Sequence, residues 1–395
     1  MLPPPRSISP SPGGNLADSD IVGRDDDIAR IWRALTTGTG ALMLSEPRRL
    51  GKTLALKKLC SSPAAGWIAS YHSYQGINTT VGMAEALLNE LARHESLSKK
   101  LRNRVRGFLD GASATIEGVE LRLAPQFRDD PIAAVAATLR AVATELGDRR
   151  LLLICDEVPD MIAAIASNES FDAATRAMGV WRAWREHPNG QAVRWLLTGS
   201  VGFHHIARLL GKSDLLNDLY AVQLGPIGYE WSQWLAESIL LGAGIVSPDR
   251  AAVDELATLS GGFAMIIHLV GANVRDTQRN VIAAEDIGPI LDRAFGDLDA
   301  SQQLTSFLTR LAPYYTSDER NAYWLLDELA QQPADRADLL RRAKKPKRFR
   351  DEEHLREVLD WLTADHYLEY DDAGSIRSYK WRYEPLRRLW TLRRR

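Results

Sequence analysis

A chain of 395 residues, 45% apolar and 25% charged with a net charge of −2, has the composition of a globular protein with core enough for two or three domains. The near-neutral balance excludes a protein that coats nucleic acid over its whole surface. The two cysteines, Cys60 and Cys155, exclude a disulfide framework or zinc site and suit a reducing compartment. No apolar run approaches the ~18–20 residues that span a bilayer, and the Pro/Ser-rich start has no signal-like apolar core, so a cytoplasmic protein with no membrane partner is expected.

Residues 1–18 are Pro, Ser and Gly with almost nothing to bury, and composition predicts a disordered tail. Asp25–Asp27 suit the first turn of a helix whose apolar stripe is Ile28, Ile31, Trp32 and Leu35. The run from Ala41 to Leu44 reads as a strand, and Gly51-Lys52-Thr53 opens a helical pattern continuing through Leu59. Trp67–Tyr71 predicts a second strand. From about 80 to 146 the pattern is helical, with β-like alternation near Thr115–Leu123. Leu151–Cys155 and Val193–Leu197 are further apolar strands, ending in Asp156-Glu157 and in Thr198-Gly199-Ser200. Apolar strands alternating with helices imply an α/β domain with a parallel sheet covered on both faces. After Leu224-Gly-Pro226 the strands stop. Residues 228–296 read as short helices broken at Ser260-Gly-Gly262, and helices follow at 302–313, 320–332 and 352–364. A hairpin is expected from Tyr367–Tyr370 and Ser375–Tyr383 around Asp371–Gly374.

Strand, turn and then GKT at a helix start is the geometry of a phosphate cradle. Backbone N–H groups and the helix N-terminus face the anion, Lys52 reaches the β/γ-phosphates, and the Thr53 hydroxyl binds Mg²⁺. The full pattern has glycine where this chain has Glu46, whose carboxylate would have to point outward, away from a triphosphate. Arg48 and Arg49 would add charge near the phosphates or simply be exposed. Asp156 and Glu157 at a strand end suit a pair in which the Asp holds the Mg²⁺ shell through water and the Glu polarises an attacking water; capping of the next turn is the alternative. Thr198 and Ser200 would lie between the two motifs and orient that water, or Ser200 would cap the following helix. His204 and His205 lack partners for a metal site. In the C-terminal hairpin Tyr379, Trp381 and Tyr383 alternate with Lys380 and Arg382. One face would pack on the preceding helices, giving a winged helix. The other, with Lys344, Lys345, Lys347, Arg348 and Arg350, would follow a double-stranded DNA backbone or be solvated. Residues 341–395 carry six positive charges in excess, so the rest of the chain carries −8.

Ile21-Val22-Gly23-Arg24, Pro47-Arg48-Arg49-Leu50-Gly51-Lys52-Thr53-Leu54, the strand ending in Asp156-Glu157, Leu197-Thr198-Gly199-Ser200 and Ser260-Gly-Gly262 occur in an order that resembles prokaryotic AAA+/STAND-type ATPases. The nearest likeness is to the archaeal-type group related to origin-recognition ATPases, whose winged-helix ending Tyr379–Trp390 is also similar. The resemblance implies a P-loop ATPase domain at 19–225 with a helical insertion at about 80–146, a helical lid at 226–298 and a winged helix at 299–395. It also implies that Val22, Gly23 and Arg24 border the adenine, that Pro47–Leu54 hold the phosphates, that Lys52, Asp156 and Glu157 are catalytic, that Thr53 and Asp156 serve Mg²⁺, and that Thr198 and Ser200 fill the sensor strand. Departures are Glu46 for Gly and Ala264 where the lid turn usually has Pro. Arg194 and Arg208 are the candidates for an arginine finger. The expected function is a Mg-ATP-dependent switch that repositions the winged helix or an assembly surface, with ATP, double-stranded DNA, and a protein partner or second copy as partners. The alternatives are a nucleotide-gated DNA-binding regulator with little turnover and an interaction scaffold with a degenerate loop.

Overall fold

The computed structural model describes residues 2–14, 16–38, 41–47, 50–110, 120–187, 190–199, 202–217, 219–297, 304, 308, 311–344, 348–371 and 377–394. The chain divides into two compact units: Asp26–Ser45 with Ala55–Gln223, and Met1–Asp25 with Glu46–Leu54 and Leu224–Arg395.

The first unit is built on a five-stranded parallel sheet of β1 Ala41–Ser45, β2 Trp67–Ser73, β3 Arg150–Asp156, β4 Val193–Gly199 and β5 Leu219–Val222, in the order β2-β3-β4-β1-β5. Its helices are α1 Asp25–Thr37, α2 Lys52–Ser61, α3 Thr80–Arg93, α4 Lys99–Arg106, α5 Pro131–Glu145, α6 Val158–Asn168, α7 Phe171–Glu186 and α8 Phe203–Leu209. β3 shows no polar alternation because both its faces are covered. Leu151, Leu153 and Cys155 join a core with Leu87 and Leu88 of α3, Leu139 and Val142 of α5 and Trp181 of α7, while Leu152 and Ile154 are buried on the opposite face. β5 is the strand that the sequence reading missed. It is a four-residue run, Leu-Tyr-Ala-Val, at the sheet's edge with two residues exposed, too short and without the alternation that would mark it as a strand.

Between β2 and β3 lie α3, α4 and α5. Their starts are fixed by Thr79, Ser98 and Asp130, whose side chains accept from Gly82, Leu101 and Ala133 N–H groups. Most of the β-like stretch at 115–123 lies outside the described residues; Leu109 and Leu123 form an isolated antiparallel bridge beside it. Because β1, β3 and β4 are parallel, Ser45, Asp156 and Gly199 all end at one edge of the sheet, with Ser45 beside Gly199 and Asp156 beside Ser73.

The second unit contains α9 Tyr229–Gly242, α10 Arg250–Ser260, α11 Ala264–Asp276 and α12 Ala284–Gly296. Leu304 and Leu308 are helical and buried; α13 Leu311–Tyr315, α14 Glu319–Gln331, β6 Ala334–Asp335, α15 Arg336–Arg342, α16 Glu352–Ala364, β7 Leu368–Asp371, β8 Ser378–Trp381 and α17 Glu384–Arg394 follow. The sheet order is β6-β8-β7. β7 and β8 form the expected hairpin, and its turn lies outside the described residues. Tyr379, Trp381 and Tyr383 are buried, with the Trp381 indole donating to the Leu326 carbonyl at 3.1 Å.

The hairpin's basic residues are not a bare cationic face. Lys380 lies 3.5 Å from Glu369 and 3.8 Å from Asp371, and Arg382 donates to His366 Nδ1 at 2.8 Å. Arg348 stacks over Trp324 and Arg350 lies 3.9 Å from Glu357, whereas Lys345 and Lys347 fall outside the described residues.

The N-terminal segment corrects the expectation of a disordered tail. Pro3 accepts from the Trp234 indole at 2.7 Å, Arg6 N and Ile8 N donate to the Ser238 hydroxyl and carbonyl, and Ser11 N donates to His268 Nδ1. Ile8 and Pro10 are buried; glycine at 242 permits this, since a Cβ there would sit 1.8 Å from the Ile8 carbonyl oxygen. Composition misled because prolines leave little backbone freedom to lose on docking, so two apolar side chains and four hydrogen bonds are enough to order the segment.

Candidate functional site

The Glu46–Leu54 segment, where the sequence leads one to expect a phosphate cradle, belongs to the second unit and is held at both ends. At its far end Gly51 takes a φ of +87°, which any side chain would strain, and turns the chain into α2 at Lys52. Lys52 is buried and Thr53 exposed. The preceding carbonyl, that of Leu50, accepts from Arg24 Nη2, and Arg24 Nη1 donates to the Gly225 carbonyl at 2.6 Å. Arg24, expected to border a base, is thus a buried strut under the loop. Gly23 has a φ of +68° and packs against Trp231 and Ile227, where a Cβ would come within 3.0–3.2 Å; Val22 is half-buried beside it.

At the near end Glu46 corrects the expectation that its carboxylate points outward. It is fully buried, accepting from Leu224 N at 3.1 Å and from the Tyr383 hydroxyl at 3.4 Å. Desolvation pushes its pKa up to about 7, against the lowering effects of Arg382, the Leu224 N–H, Tyr383 and Arg24. Facing it, burial and the Glu46 charge push the Tyr383 hydroxyl well above its ordinary value. Pro47 is buried next to it, and Leu50 and Leu54 flank the turn; Arg48 and Arg49 lie outside the described residues.

In the first unit, the end of β3 gathers donors around one carboxylate. Asp156 is buried; Oδ1 accepts from the Thr198 hydroxyl and from Glu157 N at 3.0 Å, and Oδ2 accepts from the Tyr71 hydroxyl at 3.1 Å. Parallel pairing explains the convergence, since β2 and β4 are the two neighbours of β3. Tyr71 was missed by sequence reasoning, because which strand flanks β3 on its far side is a matter of sheet order. Glu157 adopts a left-handed φ of 58° and is followed by Val158-Pro159, so the chain turns sharply from β3 into α6. That conformation costs about 1 kcal/mol. The Glu157 side chain makes no capping bond to α6, so the capping alternative is not what places it there.

Other candidates are resolved differently. The cap position of α8 is Gly202, and Ser200 lies outside the described residues. Arg194 is buried on β4, donating to the Gly38 carbonyl at 2.8 Å, which removes it as an arginine finger. Arg208 contacts His205 Nδ1 at 3.2 Å. Among the described residues no cluster of three or more His, Cys, Asp or Glu could hold a metal, and no helix is long and apolar enough to cross a membrane.

No family model matches the chain, and no curated protein does. Solved structures do. The Walker-type ATPase PABY2304 of Pyrococcus abyssi superposes with a TM-score of 0.64 at 15% identity, over 100% of this chain and 99% of that one. The chain has the fold of a Walker-type ATPase. Cdc6p from Pyrobaculum aerophilum (TM-score 0.40, 13% identity, 95% and 97% covered) and Drosophila ORC bound to DNA (0.38, 13%, 92% and 93%) are more distant likenesses. The Walker-type fold agrees with the parallel sheet, the helices that follow it and the small antiparallel sheet near the end of the chain.

Proposed function

We propose that the protein binds ATP with Mg²⁺ in the Glu46–Leu54 segment and hydrolyses it, with residues 226–298 acting as a lid and 299–395 as a winged helix moved by the nucleotide cycle. What carries the reading is the conjunction of two local structures. A strand runs into a turn with a positive-φ glycine and then Lys-Thr at a helix start, and a second parallel strand ends in a buried, triply hydrogen-bonded aspartate at the edge where the first strand also ends.

In this reading the backbone N–H groups of Leu50–Leu54 and the Lys52 ammonium take the β- and γ-phosphates. The residues present suit Mg²⁺, which takes few protein ligands and keeps waters and phosphate oxygens: the Thr53 hydroxyl would bind it directly and Asp156 through water. When bound, the ion neutralises charge that develops on the transferred phosphoryl group. Tyr71, Thr198 and the Glu157 N–H fix the Asp156 carboxylate, so that it presents one orientation. Glu157 orients a water and accepts its proton. Val22, Gly23 and Arg24 border the adenine, with Arg24 also bracing the Leu50 carbonyl.

Double-stranded DNA is the second partner we would test, and a protein partner or second copy the third. With Lys380 ion-paired to Glu369 and Asp371 and Arg350 to Glu357, the exposed Lys344 and the half-buried Arg348 are the described residues of that set we would test against a phosphate backbone. Titration of Mg-ATP against the wild type and Lys52→Ala tests the binding reading, and equal affinities would refute it. Glu157→Gln separates an ATPase, which it should abolish, from a nucleotide-gated switch with little turnover, which it should leave unchanged.

A further inference from the structure

The two ends of the phosphate segment are fastened to two consecutive residues. Glu46 takes the Leu224 N–H, and Arg24 joins the Leu50 carbonyl to that of Gly225. Glu46 also reaches Tyr383, whose ring packs edge-to-face on Phe263 with centroids 5.2 Å apart, at the start of α11. Two residues on, Pro385 lies so close to Gly261 that a Cβ there would come within 2.9 Å of it. The carboxyl that stands in place of the usual glycine therefore joins the segment to the linker, and Tyr383 ties both to the α10–α11 turn and the start of α17. Loops that bind phosphate gain from a bare backbone at this position, so a buried acid there calls for a role that offsets its desolvation.

We propose that Glu46 is a positioning residue for nucleotide binding: its carboxyl holds the first turn of the phosphate segment against Leu224 and Tyr383, so that seating of a nucleoside triphosphate and the arrangement of the β8–α17 corner change together. The inference rests on the nucleotide reading above. The groups that face the carboxyl are Arg382 and Tyr383 from the β8–α17 corner and Arg24 from ahead of α1; the linker contributes the Leu224 N–H. With its pKa near 7, Glu46 is divided between its two forms around neutrality. A polyphosphate in the segment brings like charge towards it and raises its pKa further, so binding takes up a proton and is tighter below pH 7 than above.

The experiment is a titration of the full chain with a non-hydrolysable ATP analogue and Mg²⁺ from pH 5.5 to 8.5, for wild type, Glu46→Gln and Tyr383→Phe. Glutamine keeps the acceptor for Leu224 N and cannot titrate. Phenylalanine keeps the ring on Phe263 and removes the hydroxyl. The wild type should lose affinity on the order of tenfold across the range relative to Glu46→Gln, the analogue's own titration being common to both. In Tyr383→Phe the midpoint of that loss should move to higher pH, because the hydroxyl lowers the Glu46 pKa, and nucleotide should no longer alter hydrogen exchange in residues 378–394. Superimposable pH profiles for wild type and Glu46→Gln, together with a silent Tyr383→Phe, would overturn the latch and leave the nucleotide reading standing. A wild type that binds no analogue at any pH would overturn both.

Discussion

Two carboxyl groups in this protein are buried to a similar depth and held in opposite ways. Asp156 accepts three hydrogen bonds, two from side chains on flanking strands and one from the next residue's N–H. Glu46 accepts two, from residues 178 and 337 positions away, and burial outweighs them to push its pKa up to about 7. The first takes these three donors from its own sheet and the turn that follows it. The second depends on a linker and a C-terminal corner keeping their places. In the reading proposed here the rigid acid serves the chemistry, and the acid with remote partners reports on it.

The comparison can be broken most forcefully at the chemistry. Glu157→Gln should lower ATP turnover by roughly 10²–10⁴-fold with nucleotide affinity retained, read by phosphate release and by equilibrium titration. Asp156→Asn should follow. An amide matches the Tyr71 and Thr198 donors with one oxygen where the carboxylate offers two, so the folded state should lose about 1–3 kcal/mol by denaturant titration, besides weakening Mg²⁺-dependent binding.

Glu46→Gln should act through pH. The native pKa of Glu46, about 7, lies above its ordinary 4.5, so the folded state binds more protons than the unfolded one between those values. Its contribution to stability is therefore greatest below pH 4.5, falls as pH rises, and levels above about pH 7, by up to ~3 kcal/mol. Unfolding of wild type against Glu46→Gln at pH 5 and 8 should show that slope in the wild type alone. Equal slopes would mean that Glu46 is better solvated than its burial indicates. Tyr383→Phe should have the smallest effect, about 1 kcal/mol, because the ring stays on Phe263 and one 3.4 Å hydrogen bond is lost.

The same contrast explains what could be read from the chain. β3 and β4 were legible because strands covered on both faces are continuous apolar runs, and Asp156-Glu157 and Gly51-Lys52-Thr53 stand out because each terminates or opens such an element. The turns at Thr79, Ser98 and Asp130 carry cap chemistry that sequence displays. Tyr71 was illegible because the neighbour of β3 is decided by sheet order. β5 was illegible because four half-exposed edge residues carry no periodicity. The partners of Arg24, Glu46 and Tyr383 were illegible because they are brought close by the packing of remote segments, which no local pattern records. The N-terminal segment was misread for a related reason: its order comes from the surface of α9 and α11, and composition speaks only of the segment itself.

The central claim is that the Glu46–Leu54 segment holds a nucleoside triphosphate with Mg²⁺. A calorimetric titration of the full chain with Mg-ATP, repeated on Lys52→Ala, tests it most directly. The wild type should bind one equivalent, and Lys52→Ala should bind at least ~30-fold more weakly, the cost of removing one partner of a buried charge pair. Identical affinities in the two proteins, or no heat of binding in the wild type, would contradict it.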